Sequence, residues 1–308
     1  MRTVRTVSGL RAALAGARGD GRSIGLVPTM GFLHEGHTSL IDRAAAECDE
    51  VVVSLFVNPT QFNDPGDLAA YPRDEARDAA LAAEAGAHLL FAPSPDEVYP
   101  DGFSTTISVR GVTEPLEGSH RGVSHFDGVT TVVTKLFNMV GPDVAYFGQK
   151  DAQQALVVRK LVRDLDMPIE IVVAPTVREA DGLALSSRNV RLNGQRDRAP
   201  ALHRALRAAE DAVAAGERDA ATVRAAALAA LKPYAVEPEY LELVTTDTLA
   251  AVDTIDSEVL LAVAAQIGGV RLIDNTILTP SADAPKGAGR SPSTSDRPPG
   301  WPAEVTHS

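Results

Sequence analysis

Across the first 175 residues, short β-rich runs alternate with stretches long enough for helices. Residues 23–27 are apolar and end at Pro28, which predicts a buried strand. Residues 36–47 read as a helix and residues 51–57 (VVVSLFV) as the clearest buried strand. The same alternation continues with a helix over 73–85, a strand over 87–91, a helix over 127–140, a strand over 143–147, a helix over 151–165 and a strand over 169–173. Neighbouring parallel strands need long crossover connections, and helices supply them. This order therefore predicts βαβ units and a Rossmann-like parallel sheet in an α/β fold. Such sheets bind ligands outside the carboxyl ends of their strands, so the residues that follow each strand are the first candidates for function.

After Pro175 the texture changes. Fourteen of the thirty residues in 201–230 are alanine, which favours helix, with Gly216 as the break between two of them. Three β-rich runs follow at 239–244, 259–267 and 270–277. The expectation is a Rossmann-like domain over 1–176 and a smaller α+β domain over 177–280. Residues 281–308 contain five Pro, five Ser and three Gly and no Leu, Ile, Met or Phe. That composition cannot bury enough apolar surface to offset its ordering entropy and predicts a disordered tail, which holds the only tryptophan, Trp301.

With 29 basic and 41 acidic residues the chain carries a formal charge of −12, which argues against nucleic acid and anionic membranes as partners. One cysteine, Cys48, excludes an intrachain disulfide framework and any CxxC motif. The opening MRTVRTVSGL has no apolar h-region, and no apolar run approaches the ~18 residues of a membrane span, so a cytoplasmic protein is expected.

The motif after the first predicted strand is the most telling. Val27-Pro28-Thr29-Met30-Gly31-Phe32-Leu33-His34-Glu35-Gly36-His37 runs from strand into helix. His34 and His37, three apart, share a face of a helical first turn. Gly36 removes a side chain where a phosphate must come close, and the free N–H groups of a helix start favour an anion. His-Glu-Gly-His lacks the His-Glu-x-x-His spacing of a zinc protease. Taken alone, the pair also fits two histidines that merely cap a helix.

Four other segments join it. Asn58 and Gln61, in Asn58-Pro59-Thr60-Gln61, are neutral amides suited to a small polar ligand, though Asn-Pro also makes turns. The segment Tyr71-Pro72-Arg73 leads to Asp74, Glu75 and Asp78, one of which can reach a magnesium ion while the rest are solvated charge. Lys150, just beyond a strand, can meet phosphate as a point charge. Asp151 beside it can hold Mg²⁺ or cap the next helix, and Gln154 lies one turn on. In Arg178–Asn189, Ser186, Ser187 and Arg188 place two hydroxyls and a guanidinium in a row, next to Asp181-Gly182, which suits an oxyanion.

Together PTMGFLHEGH, FVNPTQF, YPRD, HFDGVTTVVTKLFN, FGQKDAQQ and READGLALSSRN closely resemble the pantothenate synthetase family over about residues 20–280. That family, nucleotidylyltransferase-like in its His-x-Gly-His element, joins pantoate to β-alanine with ATP. The resemblance implies an acyl-adenylate route that releases AMP and pyrophosphate, and a homodimer. It implies that His34 and His37 contact ATP phosphates and that Lys150, Ser186, Ser187 and Arg188 grip the triphosphate. Pro28, Met30, Gly148, Asp151 and Val177 fall at nucleotide-binding positions, with Asp151 near the ribose. Met30, Gln61 and Gln154 match the pantoate pocket, with Asn58 beside them, and Asp78 matches an acidic position near Mg²⁺. The sequence departs from the pattern at Gln149 and Ala152, where Glu and Tyr are common, at Leu185 for Met, and at Arg77, where a second acid is frequent. The run Arg121–Phe126 is one residue longer than the usual Arg-Pro-x-His-Phe, so the aim of Arg121 is open.

Overall fold

The computed structural model describes residues 1–62, 65–192 and 194–280; the tail expected at 281–308 lies outside the described residues. Strand β1 (Arg2–Val4) and helix α1 (Val7–Gly19) come first. The sequence reading does not anticipate them, because three residues are too few to show alternation. Thr6 caps α1 by accepting from the Gly9 N–H, and Leu10, Leu14 and Ala17 bury one helical stripe. There follow β2 (Ile24–Thr29), α2 (Glu35–Glu47), β3 (Glu50–Leu55), α3 (Pro65–Ala70), α4 (Glu75–Glu84) and β4 (Leu89–Phe91). Two short helices, α5 (Pro95–Val98) and α6 (Glu117–Arg121), precede the long α7 (Val123–Val140), which leads into β5 (Val144–Gly148), α8 (Ala152–Asp164) and β6 (Glu170–Ala174).

The first six strands form one parallel sheet in the order β1-β4-β3-β2-β5-β6. From β2 the chain adds β3 and β4 on one side and then returns to add β5 and β6 on the other. The two directions diverge at β2/β5, the switch point outside which α/β sheets bind ligands. The expected Rossmann-like fold is present, with small shifts that have local causes. Strand β2 runs through Pro28 because β5 pairs only with Gly25 and Leu26, so beyond them β2 has no ladder bond on that side to lose. Helix α7 starts four residues earlier than expected, at a turn where Gly122 has φ +79°, a backbone conformation that suits glycine.

Helices α9 (Ala201–Ala214) and α10 (Ala220–Leu231) form the alanine-rich pair, with Gly216 between them. They lie against an antiparallel sheet of β7 (Pro238–Thr245), β8 (Val259–Ile267) and β9 (Val270–Leu278). Strand β8 is apolar on both faces. Val259, Leu261, Val263 and Ala265 pack with α9 and α10, while Leu260 and Ala262 join the core that holds α1, α7 and α8. The small sheet is thus sandwiched between its own helices and the larger unit. No helix among the described residues is long and apolar enough to cross a membrane.

Candidate active site

A cavity of about 280 Å³ opens at the carboxyl ends of β2, β5 and β6 and extends under the small sheet. Pro28, Met30, His34, His37, Asn58, Gln61, Gly148, Lys150, Asp151, Gln154, Val177, Ser186, Ser187 and Arg188 all line it. Five separated segments therefore converge on one space.

The loop that presents the histidines is bent sharply. Gly31 (φ +88°) and Phe32 (φ +52°) both take left-handed conformations. A Cβ on Gly31 would meet the Leu55 side chain at 2.8 Å, and Phe32 carries the ordinary strain of a non-glycine residue there. Asp78 holds this bend in place. Its carboxylate accepts from the Phe32 N–H at 2.6 Å and the Leu33 N–H at 2.7 Å, and the residue is 1% exposed. Asp78, expected near magnesium, thus has both oxygens engaged with backbone beneath the loop and does not line the cavity. Arg77 stands 3.6 Å from it, where a second acid would be needed. Among the described residues no group of three or more His, Cys, Asp or Glu side chains could hold a metal ion.

The imidazoles of His34 and His37 lie 4.1 Å apart between centroids. Nδ1 of His37 accepts from the His34 backbone N–H at 3.3 Å, which assigns the ring proton to Nε2. Burial, then the cations Lys150 and Arg77 against an opposing Asp151, push His34 down to about 4. Burial, then His34 and Lys150, push His37 down to about 3. Both rings are neutral near pH 7 and offer one N–H each, so the positive charge at the cavity comes from Lys150 and the lining arginines Arg121, Arg188 and Arg271.

Asn58 lies beside Gln61 at the cavity wall. It is wholly buried, and its Oδ1 accepts from Thr60 Oγ1 at 3.0 Å and the Tyr99 hydroxyl at 2.8 Å. Its Nδ2 donates to Gln61 Oε1 at 2.9 Å and to the Gly128 carbonyl at 3.1 Å. Asn58 thus frames the turn and aims Gln61, whose Nε2 donates to Met30 Sδ at 3.2 Å. His125, within the α7 motif, donates from Nδ1 to the Gln61 carbonyl at 2.7 Å and also lines the cavity. Burial first, then Arg121, lower its pKa to about 4. Arg121 reaches the cavity wall and donates from Nε to Glu117 at 3.0 Å.

The turn carrying Lys150 is held by β9. Asn275 Nδ2 donates to the carbonyls of Gln149 and Lys150, both at 2.9 Å, and its Oδ1 accepts from Gln149 Nε2 at 3.0 Å. A glutamine at 149 therefore serves as an amide partner for Asn275. Asp274 takes Arg178 in a two-pronged pair at 2.5 and 2.9 Å, fixing the base of the 178–189 segment. Arg271 and Tyr240 reach across to the buried carboxylate of Glu117 at 2.6 and 2.8 Å. These β9 and β7 residues line the cavity and are absent from the sequence candidates. The available signal was the charged and amide residues Arg271, Asp274 and Asn275 inside a mostly apolar strand.

Three histidines held neutral by burial carry a stability consequence. A His whose folded pKa lies below its unfolded value near 6.5 contributes stability that is full above pH 6.5. That contribution is lost as pH falls toward the folded value, about 4 for His34 and His125 and about 3 for His37. The ligand-free protein is expected to lose on the order of a few kcal/mol between pH 7 and pH 5, a window above the carboxylate titrations. Urea unfolding at the two pH values checks this; equal midpoints would contradict it.

A family model described as pantoate-beta-alanine ligase matches residues 2–277. A pantothenate synthetase of Chelativorans sp. is 58% identical over 272 residues, covering 88% of this chain and 95% of that protein. A crystal structure of the pantothenate synthetase from Thermus thermophilus is similar with a TM-score of 0.85 at 48% identity, over 90% of this chain and 99% of that one. A pantoate-beta-alanine ligase from Francisella tularensis, solved with a β,γ-ATP compound and β-alanine, is similar with a TM-score of 0.75 at 34% identity, over 90% and 97% of the two chains.

Proposed function

The chain belongs to the pantoate-beta-alanine ligase family, and from that premise we propose how its cavity joins pantoate to β-alanine with ATP. The observation that carries this reading is the convergence of the histidine pair, the Gln61 turn, the Lys150 turn and the Ser186–Arg188 loop on one cavity at the sheet's switch point.

A carboxylate resists attack by an amine because its charge repels the electron pair and oxide leaves poorly. ATP removes both obstacles. The pantoate carboxylate oxygen attacks the α-phosphorus in line, the new P–O bond forms, and the bond to pyrophosphate breaks. The β-alanine amine then adds to the acyl carbon, AMP departs with the bonding pair, and the amine gives up its proton. Phosphoryl transfer of this kind needs positioning and neutralisation of growing negative charge. Lys150 and Arg188 supply charge, His34 and His37 one directed N–H each, and Ser186 and Ser187 hydroxyls. Met30, Gln61 and Gln154 hold pantoate, with Asn58 and His125 fixing the turn that carries Gln61. Pro28, Gly148, Asp151 and Val177 flank the nucleotide, and Asp151, half-buried at the cavity wall, faces its ribose.

Magnesium enters this reading as an ion carried by the phosphates. The buried, doubly bonded Asp78 does not fit it, and no step is assigned to it. The adenylate hydrolyses readily, so water must be kept out. Residues 1–176 and 177–280 act as two domains facing the cavity. Leu260 and Ala262 of the small sheet share the core of the larger unit, so closure belongs to the Ser186–Arg188 loop. A homodimer fits the 103–110 run, exposed except at Ile107 and Val109, whose backbone hydrogen-bonds to no other backbone after Phe103 among the described residues. Light scattering should then give twice the 32.4 kDa chain mass; a mass of one chain would contradict it. A cytoplasmic location completes the reading and is checked by cell fractionation.

The direct test supplies ATP, Mg²⁺, pantoate and β-alanine and measures AMP and pantothenate. One AMP per pantothenate is expected. AMP or ADP formed without pantothenate would overturn the proposal.

A further inference from the structure

Arg188 is tied from outside the cavity. Its Nη2 donates to Asp67 Oδ2 at 3.0 Å, across 121 residues of sequence, and its guanidinium lies over the Tyr71 ring at 5.6 Å. Asp67 sits on α3, and its second oxygen accepts from Arg191 Nη1, also at 3.0 Å. Asp67 is therefore clamped between two arginines and cannot follow Arg188 if that side chain swings. Tyr71, next after α3, is buried, lines the cavity, and has the Ser187 hydroxyl within hydrogen-bonding reach. Ser187 in turn donates to the Phe32 carbonyl at 3.2 Å, in the bend ahead of the histidines.

We propose that Asp67 is a positioning residue for ATP: it fixes the Arg188 guanidinium over the Tyr71 ring so that its remaining donors meet the nucleotide's phosphates already aligned. This rests on the reading that Arg188 grips the triphosphate. A guanidinium presents five donors in a rigid plane, and Asp67 engages one of them. Among the described residues no side-chain or backbone acceptor is paired with Arg188 Nε or Nη1. Charge also favours positioning over competition. Two arginines share one carboxylate, so the trio keeps one net positive charge for the incoming polyanion. A free arginine loses rotamer freedom on binding phosphate, whereas one held by an acid and a ring has lost it beforehand. Neither Asp67 nor Arg191 lines the cavity, so both act through Arg188.

The experiment measures ATP affinity at equilibrium without pantoate, so that no turnover occurs, on the full chain and on Asp67→Asn, Asp67→Glu, Arg188→Ala and the Asp67→Asn/Arg188→Ala double variant. Asp67→Asn keeps the shape but loses the charge, and is expected to weaken ATP binding about three- to tenfold. Asp67→Glu should recover most of that. In the Arg188→Ala background the Asn substitution should add less than about 1.5-fold, because the side chain it positions is gone. Tighter ATP binding in Asp67→Asn would mean that Asp67 competes with phosphate, and an additive double variant would mean that it acts elsewhere; either overturns the proposal. If Arg188→Ala binds ATP normally, the reading of Arg188 as a phosphate ligand fails and the positioning role falls with it. If Arg188→Ala is impaired while Asp67→Asn is not, only the positioning role fails.

Discussion

Replacing His37 with alanine is expected to slow formation of the acyl adenylate by at least about 100-fold, the scale for losing one aligned donor to a developing oxyanion. The structure narrows how His37 acts. Burial holds its pKa down to about 3, and its Nδ1 accepts from the His34 backbone, so near neutral pH it offers a single N–H from Nε2. The role this predicts for His37 is a fixed dipole, not a second cation. His37→Gln, which retains an N–H donor on a neutral side chain, should therefore recover more of the rate than His37→Lys, which restores charge in the wrong place. Single-turnover adenylation within threefold of the parent in His37→Ala would remove His37 from the mechanism. His37→Lys outperforming His37→Gln would mean that net charge, not a directed bond, is what the site requires.

The second large effect is expected at a residue with no side chain. Gly128 lies where α7 presses on the 58–61 turn. A Cβ there would stand 2.5 Å from the Thr60 carbonyl oxygen, 2.7 Å from its carbon and 2.8 Å from the Gln61 nitrogen. All three are backbone atoms, so no rotamer change relieves the clash, and helix and turn must part. That movement breaks the Asn58 bond to the Gly128 carbonyl and strains the His125 bond to the Gln61 carbonyl. Overpacking of this kind costs ~1–3 kcal/mol. Gly128→Ala is expected to raise the KM for pantoate at least tenfold while the Kd for ATP stays within threefold, since the histidine loop and Lys150 turn are held by other contacts. An unchanged KM for pantoate would show that the turn does not carry that site. Equal losses for both substrates would point to general disruption.

These two positions also show where sequence reasoning reaches. The parallel sheet was legible because β2, β3 and β5 are short apolar runs separated by helix-length segments, and the histidine pair was legible because it follows the first of them. Both are local patterns. Gly128 reads only as a glycine inside a helical pattern; its contact is with a turn 67–70 positions away in sequence. The resemblance matches Asp78 to an acidic position near Mg²⁺, and its bonds to the strained bend at Gly31 and Phe32 are a contact that local sequence does not show. Asn58 engages in the turn chemistry that Asn-Pro allows, at the wall of the cavity. The pairs Asp274–Arg178 and Asn275–Lys150 join segments nearly 100 and 125 residues apart, and only the fold brings them together. The −12 charge also needs a narrower meaning. It describes the whole surface, whereas Lys150, Arg188 and Arg271 gather around one cavity.

The central claim is that pantoate itself is adenylated in this cavity before β-alanine is used. Isotope exchange between pyrophosphate and ATP tests it most directly. With Mg²⁺, ATP and pantoate present and β-alanine absent, the protein should exchange label rapidly, and omission of pantoate should abolish the exchange. Exchange that proceeds without pantoate, or that appears only when β-alanine is added, would contradict the account.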